Sequence, residues 1–240
     1  MNTYIILAAG KGRALEPLTL NYSKTSYRLD ENTTMLQRMV RTIRLFDKNA
    51  EIVVVLGHQA EAIRGELSEE NVKFVMNPFY AVTNSIASVW FARSYLEREN
   101  VTIVHADAVF SHSIIQEHLV QPTDHPYVLV DSSCHKPGTY NAVVQDGRVL
   151  VMSKQLENFN AKYCCMTKLD PVSSRLLKQE IDSMIQGGMH DLYFEDCLVQ
   201  MIMFHGWHLA CEDIAGHQWA EVDCVDDLLL AQKIHQETQK

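Results

Sequence analysis

Short apolar segments alternate with amphipathic ones through the first half of the chain. Three apolar segments contain β-branched residues and end at small or acidic residues, as buried strands do: Thr3–Ala9, Glu51–Gly57 and Asn100–Asp107. Between the first two lies Thr33–Phe46, whose apolar residues recur with helical spacing. Because strands and helices that alternate in this way pack as a helix-covered sheet, we expect a three-layer α/β/α fold with a mostly parallel central sheet.

The alternation changes between about residues 127 and 168, where strand-like segments follow one another without a helix. The dipeptide Asp146-Gly147 separates two of these segments and is a strong β-hairpin signal. We therefore expect a small antiparallel excursion at about 127–168, as an insertion in the parallel sheet or at its edge. One domain is expected to span residues 1–240.

Charge and hydropathy narrow the classes of partner. The 240 residues carry a formal net charge of −9, whereas proteins that bind nucleic acid or anionic membranes by charge need a basic surface. The longest apolar run, YIILAA, is far shorter than the roughly 20 residues that span a bilayer, and it lacks the pattern of a signal peptide. The sequence predicts a cytoplasmic protein with neither nucleic acid nor membrane as partner.

The six cysteines and eleven histidines show no zinc-site spacing. Reduced thiols in the core are the better interpretation of the cysteines. His105, at the end of an apolar segment, is the one histidine that we place near a site.

The segment LAAGKGRALEPLT, Leu7–Thr19, leads from the first predicted strand to a proline. Its glycines, Gly10 and Gly12, would let backbone N–H groups approach a phosphate, because no Cβ intervenes. The segment lacks the GxxxxGK[ST] pattern of a P-loop, and Pro17 breaks the helix that a dinucleotide-binding motif requires. The residues predict a phosphate-binding turn of a different kind.

This segment resembles the signature of the sugar-phosphate and choline-phosphate nucleotidyltransferases. The matching positions are Leu7, Ala8, Ala9, Gly10, Gly12, Leu15, Pro17, Leu18, Thr19 and Lys24. Further along the chain, NPFYAVTNSIASVWFA, HADAVF and WAEVDCVDDLLLA are similar to segments of the phosphocholine and 2-aminoethylphosphonate cytidylyltransferase branch. The resemblance implies a nucleotide-diphospho-sugar transferase-like, Rossmann-like fold.

The resemblance also implies a reaction: Mg²⁺-dependent transfer of CMP from CTP to phosphocholine or a related small phosphate or phosphonate, with release of pyrophosphate. It implies that Asp107 and Asp223 bind the metal and that Lys24 and Asp107 are catalytic, and Arg13 is a further catalytic candidate beside the position of the family's arginine. The implied nucleotide-binding residues are Leu7, Ala8, Ala9, Gly10, Gly12, Lys24, Asn84 and Asp107. Whether such a chain is a monomer or a homodimer is left open.

Simpler roles exist for several of these residues. An aspartate at a strand end is often a turn or capping residue, and a lysine such as Lys24 is often only solvated. Asn84 precedes a predicted helix, where it would either cap that helix or meet a ligand at the helix N-terminus. For the two aspartates, the agreement of the physics with the family pattern favours the metal.

The expected acceptor-binding residues are Lys154, Tyr193, Glu195, Asp196 and Trp219. Aromatic faces and carboxylates would bind an ammonium group, although core packing is the commoner role of an aromatic residue. Lys154 corresponds to a lysine that the family often carries after its hairpin, and it would neutralise the acceptor phosphate. The Gly-Glu pair that usually follows in the family is missing from this sequence.

One position departs from the family signature. The family has an arginine that binds the phosphates of the leaving pyrophosphate. This chain has Ala14 at that position and Arg13 one residue earlier. Either Arg13 takes over that role, or triphosphate binding is weakened, or the chain is an impaired homologue. A hexose 1-phosphate uridylyl- or thymidylyltransferase is the remaining alternative, and the NPFYAVTNSIASVWFA segment speaks against it.

Overall fold

The computed structural model describes residues 1–12, 15, 16, 19, 22–134 and 136–238. In that part of the chain, nine strands form one sheet in the order β3-β2-β1-β4-β9-β6-β10-β8-β7, and two strands form a second, small sheet. The strands are β1 Asn2–Ala8, β2 Glu51–Leu56, β3 Lys73–Met76, β4 Asn100–His105, β5 Ala108–Phe110, β6 Tyr127–Asp131, β7 Asn141–Gln145, β8 Arg148–Ser153, β9 Ala161–Leu169, β10 Ala210–Asp213 and β11 Trp219–Glu221.

The first four strands pair in parallel, as the alternation of segments predicts. The antiparallel excursion at 127–168 is more deeply integrated than a local insertion. Strand β9 lies inside the sheet and pairs antiparallel with both β4 and β6, while the β7–β8 hairpin lies at the sheet edge. The sheet is therefore mixed, with a parallel half built from β1 to β4.

The helices are α1 Met35–Phe46, α2 Ala60–Glu66, α3 Ser85–Phe91, α4 His112–Ile114, α5 Pro171–Gln186, α6 Phe194–His205 and α7 Val225–Glu237. A 3₁₀ turn spans Lys24–Ser26, another spans Arg93–Glu97, and a π-helical turn, Ile115–Leu119, continues α4. The ends of the helices carry the expected signals. Thr34 and Gln37 form a capping box at α1, and Asp170 caps α5 ahead of a proline at its first position.

Alternate residues of β1 enter two separate cores, one on each face of the sheet. Tyr4 and Ile6 pack in a cluster with residues of α1, α2 and α4. Ile5 packs in a second cluster with residues of α3, α5 and α6. This period of two is what a sheet covered on both faces requires, so the predicted three-layer α/β/α fold is confirmed.

A third, smaller cluster joins α7 to the two-stranded sheet. In that sheet β11 pairs antiparallel with β5, and Val109 and Ala220 bury their side chains with Ala231 and Ile234 of α7. The packing fixes the end of β11 close to the end of β4, since β5 follows β4 after a two-residue turn. No helix in the described ranges is long and apolar enough to cross a membrane.

Candidate active site

Three charged side chains from distant parts of the sequence meet at the carboxyl end of β4. Lys24 Nζ lies 2.7 Å from Asp107 Oδ2 and 2.7 Å from Asp223 Oδ1. The lysine side chain is 9% exposed, and the aspartates are 23% and 40% exposed. The sequence-predicted Lys24, Asp107 and Asp223 thus form one cluster with a buried side and an open side.

Backbone hydrogen bonds place the two aspartates side by side. Val222 N donates to Asp107 O at 3.0 Å, which joins the segment after β11 to the turn after β4. Ala106 N donates to Leu7 O at 3.2 Å and so ties the same turn to β1. Thr139, which sequence reasoning did not single out, donates its hydroxyl to Asp223 Oδ2 at 2.9 Å. A threonine in a Pro-Gly turn carries no sequence signal that would have found it.

The glycine turn after β1 packs directly on the lysine. Gly12 has a φ of 66°, and a Cβ built on it would lie 2.7 Å from Lys24 Cβ, so glycine is required for both reasons. A Cβ on Gly10 would meet none of the described residues within 4 Å, so the backbone is open there on the side of the described chain. The turn is also held from β2, since His58 N donates to Ala9 O at 3.1 Å.

The charges of the cluster stabilise one another. Burial alone would lower the pKa of Lys24, but the carboxylates of Asp107 and Asp223 outweigh burial and raise it. Burial would raise the pKa of Asp107, but the ammonium of Lys24 and the imidazole of His105 outweigh burial and lower it. At neutral pH the cluster therefore holds one ammonium and an ionised Asp107.

Three of the expected acceptor-binding residues, Lys154, Tyr193 and Asp196, come together around α6 and the β7–β8 hairpin with Tyr140, which sequence reasoning missed. Lys154 Nζ lies 3.6 Å from the centre of the Tyr193 ring and 5.7 Å from that of Tyr140. Tyr140 donates its hydroxyl to Asp196 Oδ1 at 3.0 Å, and Asp196 Oδ2 accepts from Tyr193 N at 2.9 Å. Burial raises the pKa of the Tyr193 hydroxyl, but contacts with Lys154 and Asn84 outweigh it and lower the pKa.

Asn84 is the N-cap of α3, which is the simpler of its two expected roles. Its side chain accepts from Ser85 N at 2.8 Å, and its backbone N donates to His190 O at 3.1 Å. The loop before it depends on Asn77, a buried residue that sequence reasoning missed. Asn77 Nδ2 donates to Thr83 Oγ1 and Ser88 Oγ, and its Oδ1 accepts from Phe79 N.

The other two expected acceptor-binding residues, Glu195 and Trp219, have partners of their own. Glu195 is fully buried, and its Oε1 lies 2.7 Å from His105 Nε2. Burial would lower the pKa of His105, but the Glu195 carboxylate raises it to about 9. Trp219 stacks on Phe110 and donates to Asp131 Oδ2 at 2.9 Å. Glu195 therefore contacts His105, and Trp219 contacts Phe110 and Asp131.

The cluster offers the oxygen donors that Mg²⁺ prefers. Asp107 Oδ1 is buried and has no hydrogen-bond partner in the described part of the chain, so it is a free ligand atom. Asp223 lies on the other side of the same ammonium and is more exposed. Two carboxylates on separate elements fit a divalent cation that keeps part of its water shell.

Arg13 and Ala14 lie outside the described residues, and the role of Arg13 stays a prediction. All six cysteines are free thiols, but the expected placement in the core holds for only half of them. Three of them are buried, Cys164, Cys165 and Cys197.

Curated relatives share part of the sequence. The bifunctional IPC transferase and DIPP synthase of Rubrobacter xylanophilus is 28% identical over 214 residues, which cover 84% of this chain and 45% of the relative. The CMP-5'-(3-aminopropyl)phosphonate synthase of Streptomyces rubellomurinus is 33% identical over 76 residues, which cover 30% of this chain and 12% of the relative. The matched segments therefore span less than half the length of either relative.

Solved structures share the fold over nearly the whole chain. The CTP:phosphocholine cytidylyltransferase of Streptococcus pneumoniae superposes with a TM-score of 0.79 at 20% identity, covering 98% of this chain and 99% of that one. The inositol-1-phosphate CTP transferase of T. maritima superposes with a TM-score of 0.77 at 19% identity, covering 98% and 97%. At these identities the likeness establishes the fold, which is that of the nucleotide-diphospho-sugar transferases, as expected.

The sequence itself assigns the family. Residues 4–158 match the family described as the MobA-like NTP transferase domain. This range includes the glycine turn, Lys24, Asn84 and Asp107, which confirms the resemblance to nucleotidyltransferases. The chain belongs to the MobA-like NTP transferase family.

Proposed function

We propose that this protein is a cytidylyltransferase that transfers CMP from CTP to a phosphate or phosphonate oxygen of a small acceptor. The observation that carries the proposal is the contact of one buried ammonium, Lys24, with two carboxylates beside an open glycine turn. Phosphoryl-group chemistry of this kind depends on positioning and on neutralising charge, which such a cluster supplies. The names of the relatives, three of which mention CTP or CMP, support the choice of nucleotide.

In the proposed reaction an acceptor oxygen attacks the α-phosphorus of CTP. A new oxygen–phosphorus bond forms, the bond from the α-phosphorus to the bridging oxygen breaks, and pyrophosphate leaves with the electron pair. Both substrates are anions, so the chain must supply positive charge where they meet. Lys24 offers an ammonium on one side, and the backbone N–H groups near Gly10 offer partial positive charge on the other.

Asp107 and Asp223 would hold Mg²⁺, which when bound neutralises phosphate charge and orients the triphosphate. The roles of the protein groups follow from their contacts. Lys24 keeps the two carboxylates together, and Thr139 fixes the orientation of Asp223 through its hydrogen bond. Val222 N fixes the backbone of Asp107 in the same way.

The acceptor would bind near Lys154, Tyr140 and Tyr193. The ammonium of Lys154 is suited to an acceptor phosphate, and the tyrosine rings are suited to the cationic end of phosphocholine or 2-aminoethylphosphonate. Since Glu195 pairs with His105 and Asp196 is held by Tyr140, recognition of an ammonium group would depend on the ring faces. An acceptor that carries hydroxyl groups would use Lys154 and the Tyr193 hydroxyl instead.

The proposal is tested by measuring pyrophosphate release with CTP, UTP, ATP, GTP and dTTP against phosphocholine, 2-aminoethylphosphonate, inositol 1-phosphate and glucose 1-phosphate. We expect turnover with CTP and one of the first three acceptors, and its loss on addition of EDTA. Asp107→Asn and Asp223→Asn should each remove most of that turnover. Preference for UTP or dTTP with glucose 1-phosphate would assign a hexose-type enzyme. Nucleotide binding without turnover in any pair would assign an impaired homologue.

A further inference from the structure

A buried cysteine lies next to the proposed catalytic aspartate. The β4–β9 pairing sets Val104 opposite Met166, so that the next residues along, His105 and Cys165, are neighbours across the two strands. A ring nitrogen of His105, a carboxylate oxygen of Asp107 and Cys165 Sγ all lie within 4.8 Å of one another. Imidazole, carboxylate and thiol are the donor set of zinc sites in proteins, whereas Mg²⁺ avoids sulfur.

The backbone of β9 is distorted at this cysteine. Cys165 has a φ of 58°, a conformation that residues other than glycine, asparagine and aspartate rarely adopt. Opposite it, the register between β6 and β9 shifts between Val128 and Val130. Such bulges occur beside active sites, where they redirect a side chain, and backbone strain is commonly found at functional positions.

The side chains of Asp107 and His105 each have an atom that can bind a cation. Asp107 Oδ2 binds Lys24, but Oδ1 is buried without a hydrogen-bond partner in the described part of the chain. His105 Nε2 lies 2.7 Å from Oε1 of the buried Glu195, so a cation bound at Nδ1 would have that carboxylate behind the imidazole ring. A carboxylate that holds the far nitrogen of a histidine is the usual outer partner of a zinc-binding imidazole.

We propose that His105, Asp107 and Cys165 form a site for a thiophilic divalent cation such as Zn²⁺. Three protein ligands leave the fourth tetrahedral position open, as in zinc sites that also bind water or a substrate oxygen. Ligand atoms around zinc stand about 3.5 Å apart, so side-chain shifts of about 1 Å would close the cluster. The partly exposed Asp107 offers the route by which a cation enters.

The site has a consequence for activity, which rests on the proposed function. Asp107 belongs both to this site and to the proposed Mg²⁺ site, so bound zinc would remove a ligand from the magnesium that the reaction needs. Zinc would then inhibit the enzyme in the presence of ample Mg²⁺. The binding itself does not depend on what reaction the protein catalyses, and it is measured separately.

The direct experiment titrates the purified protein with Co²⁺, as a spectroscopic substitute for Zn²⁺, at mildly alkaline pH with excess Mg²⁺ present. We expect thiolate-to-cobalt charge-transfer absorption that saturates at one ion per chain and is abolished by Zn²⁺. Cys165→Ser should abolish the absorption, while the adjacent buried Cys164→Ser should retain it. Glu195→Gln should weaken cobalt binding about 10- to 100-fold, as loss of an outer partner does.

Absence of thiolate absorption in the wild-type protein would overturn the proposal, as would its persistence in Cys165→Ser. If Cys165→Ser fails to fold, Asp107→Asn decides, because this partly exposed side chain can be changed without opening the core. Unchanged cobalt affinity in Asp107→Asn would equally overturn it. In assays of turnover, Cys165→Ser should raise the zinc concentration for half inhibition at least tenfold. A protein that binds cobalt but shows no turnover would refute the proposed function alone.

Discussion

Lys24 carries the charge that holds the candidate site together. Its ammonium contacts carboxylates from two elements that are far apart in the sequence, and its side chain is almost fully buried. Without that ammonium, Asp107 and Asp223 would be neighbouring like charges, and His105 would be the remaining positive group that acts on Asp107 in the described part of the chain. The same group would also face the α-phosphate in the proposed reaction, so its structural and chemical roles coincide.

For Lys24→Met we expect the free energy of unfolding to fall by about 1 to 3 kcal/mol, because two charge-assisted hydrogen bonds are lost. Turnover should fall by roughly 100-fold or more, the range for loss of one charge-stabilising donor. Mg²⁺ should raise the melting temperature of the variant more than that of the wild type, since two unpaired carboxylates bind a divalent cation more tightly.

Lys11→Met is the matched control for the melting experiment. Lys11 lies in the same loop, and among the described residues no carboxylate lies within salt-bridge distance of it. The melting temperature of Lys11→Met should respond to Mg²⁺ as the wild-type value does. An equal response of Lys24→Met and wild type would show that the two aspartates do not share a cation.

Among the elements, the glycine turn after β1 allows a sharp comparison. Gly12→Ala should lower the free energy of unfolding by at least about 1 to 2 kcal/mol, because an alanine would be in the left-handed region and would press on Lys24. Gly10→Ala should leave that free energy unchanged, since the added Cβ meets none of the described residues within 4 Å. If the backbone at Gly10 approaches phosphate, Gly10→Ala should raise the KM for CTP roughly tenfold, about 1.4 kcal/mol.

Thermal unfolding and initial rates with CTP measure the two effects. A Gly10→Ala variant with normal KM would place the triphosphate away from this turn. A Gly12→Ala variant with normal stability would show that the turn adopts another conformation.

The loop between β3 and α3 depends on a single buried amide. Asn77→Asp keeps the shape of the side chain but replaces the two donated hydrogen bonds to Thr83 and Ser88 with a buried charge. We expect the free energy of unfolding, measured by urea denaturation at neutral pH, to fall by about 1 to 3 kcal/mol. The loss should shrink in acid, where a protonated carboxyl group can donate again. The control Asn71→Asp, at an exposed position, should change the free energy of unfolding by less than about 0.5 kcal/mol.

At the scale of the whole molecule, the sequence predicts those features whose signals are local. The β-branched segments became β1, β2 and β4, and the last helix runs over Val225–Glu237. The Asp146-Gly147 turn has positive φ at both residues, 51° and 73°, as a tight hairpin turn needs. The meeting of Lys24, Asp107 and Asp223 was expected from the family resemblance, since no periodicity links positions so far apart.

Features set by distant pairing were not predictable from the pattern. Strand β9 lies between β4 and β6. The alternation of apolar and polar side chains within a strand shows which face is buried, but it does not show which strands pair with it. Glu195 is in the first turn of α6, where a carboxylate is usually exposed and favoured by the helix dipole. Its burial is compensated by His105, which lies at the end of β4 and pairs with it.

Lys168 on β9 is a buried lysine, and its protonation makes the free energy of unfolding of the whole molecule depend on pH. Its side chain is 1% exposed, and its ammonium donates to the carbonyls of His118 and Leu119 at the end of the π-helical turn. Tyr127 and Tyr4 donate their hydroxyls to the same two carbonyls. Burial lowers the pKa of Lys168 to about 7, against 10.5 for an ordinary lysine.

The sign of the effect follows from proton counting. Between about pH 7 and pH 10.5 the unfolded chain holds a proton on Lys168 that the folded protein has released, so the folded state gains stability as pH rises through this window. Relative to Lys168→Met, the free energy of unfolding of the wild type should rise by up to about 1.4 kcal/mol per pH unit. Urea denaturation at a series of pH values in the window measures the difference, and Lys233→Met, at an exposed lysine, should keep the wild-type slope. Equal slopes for wild type and Lys168→Met would show that the carbonyls of His118 and Leu119 keep Lys168 protonated throughout the window in spite of its burial.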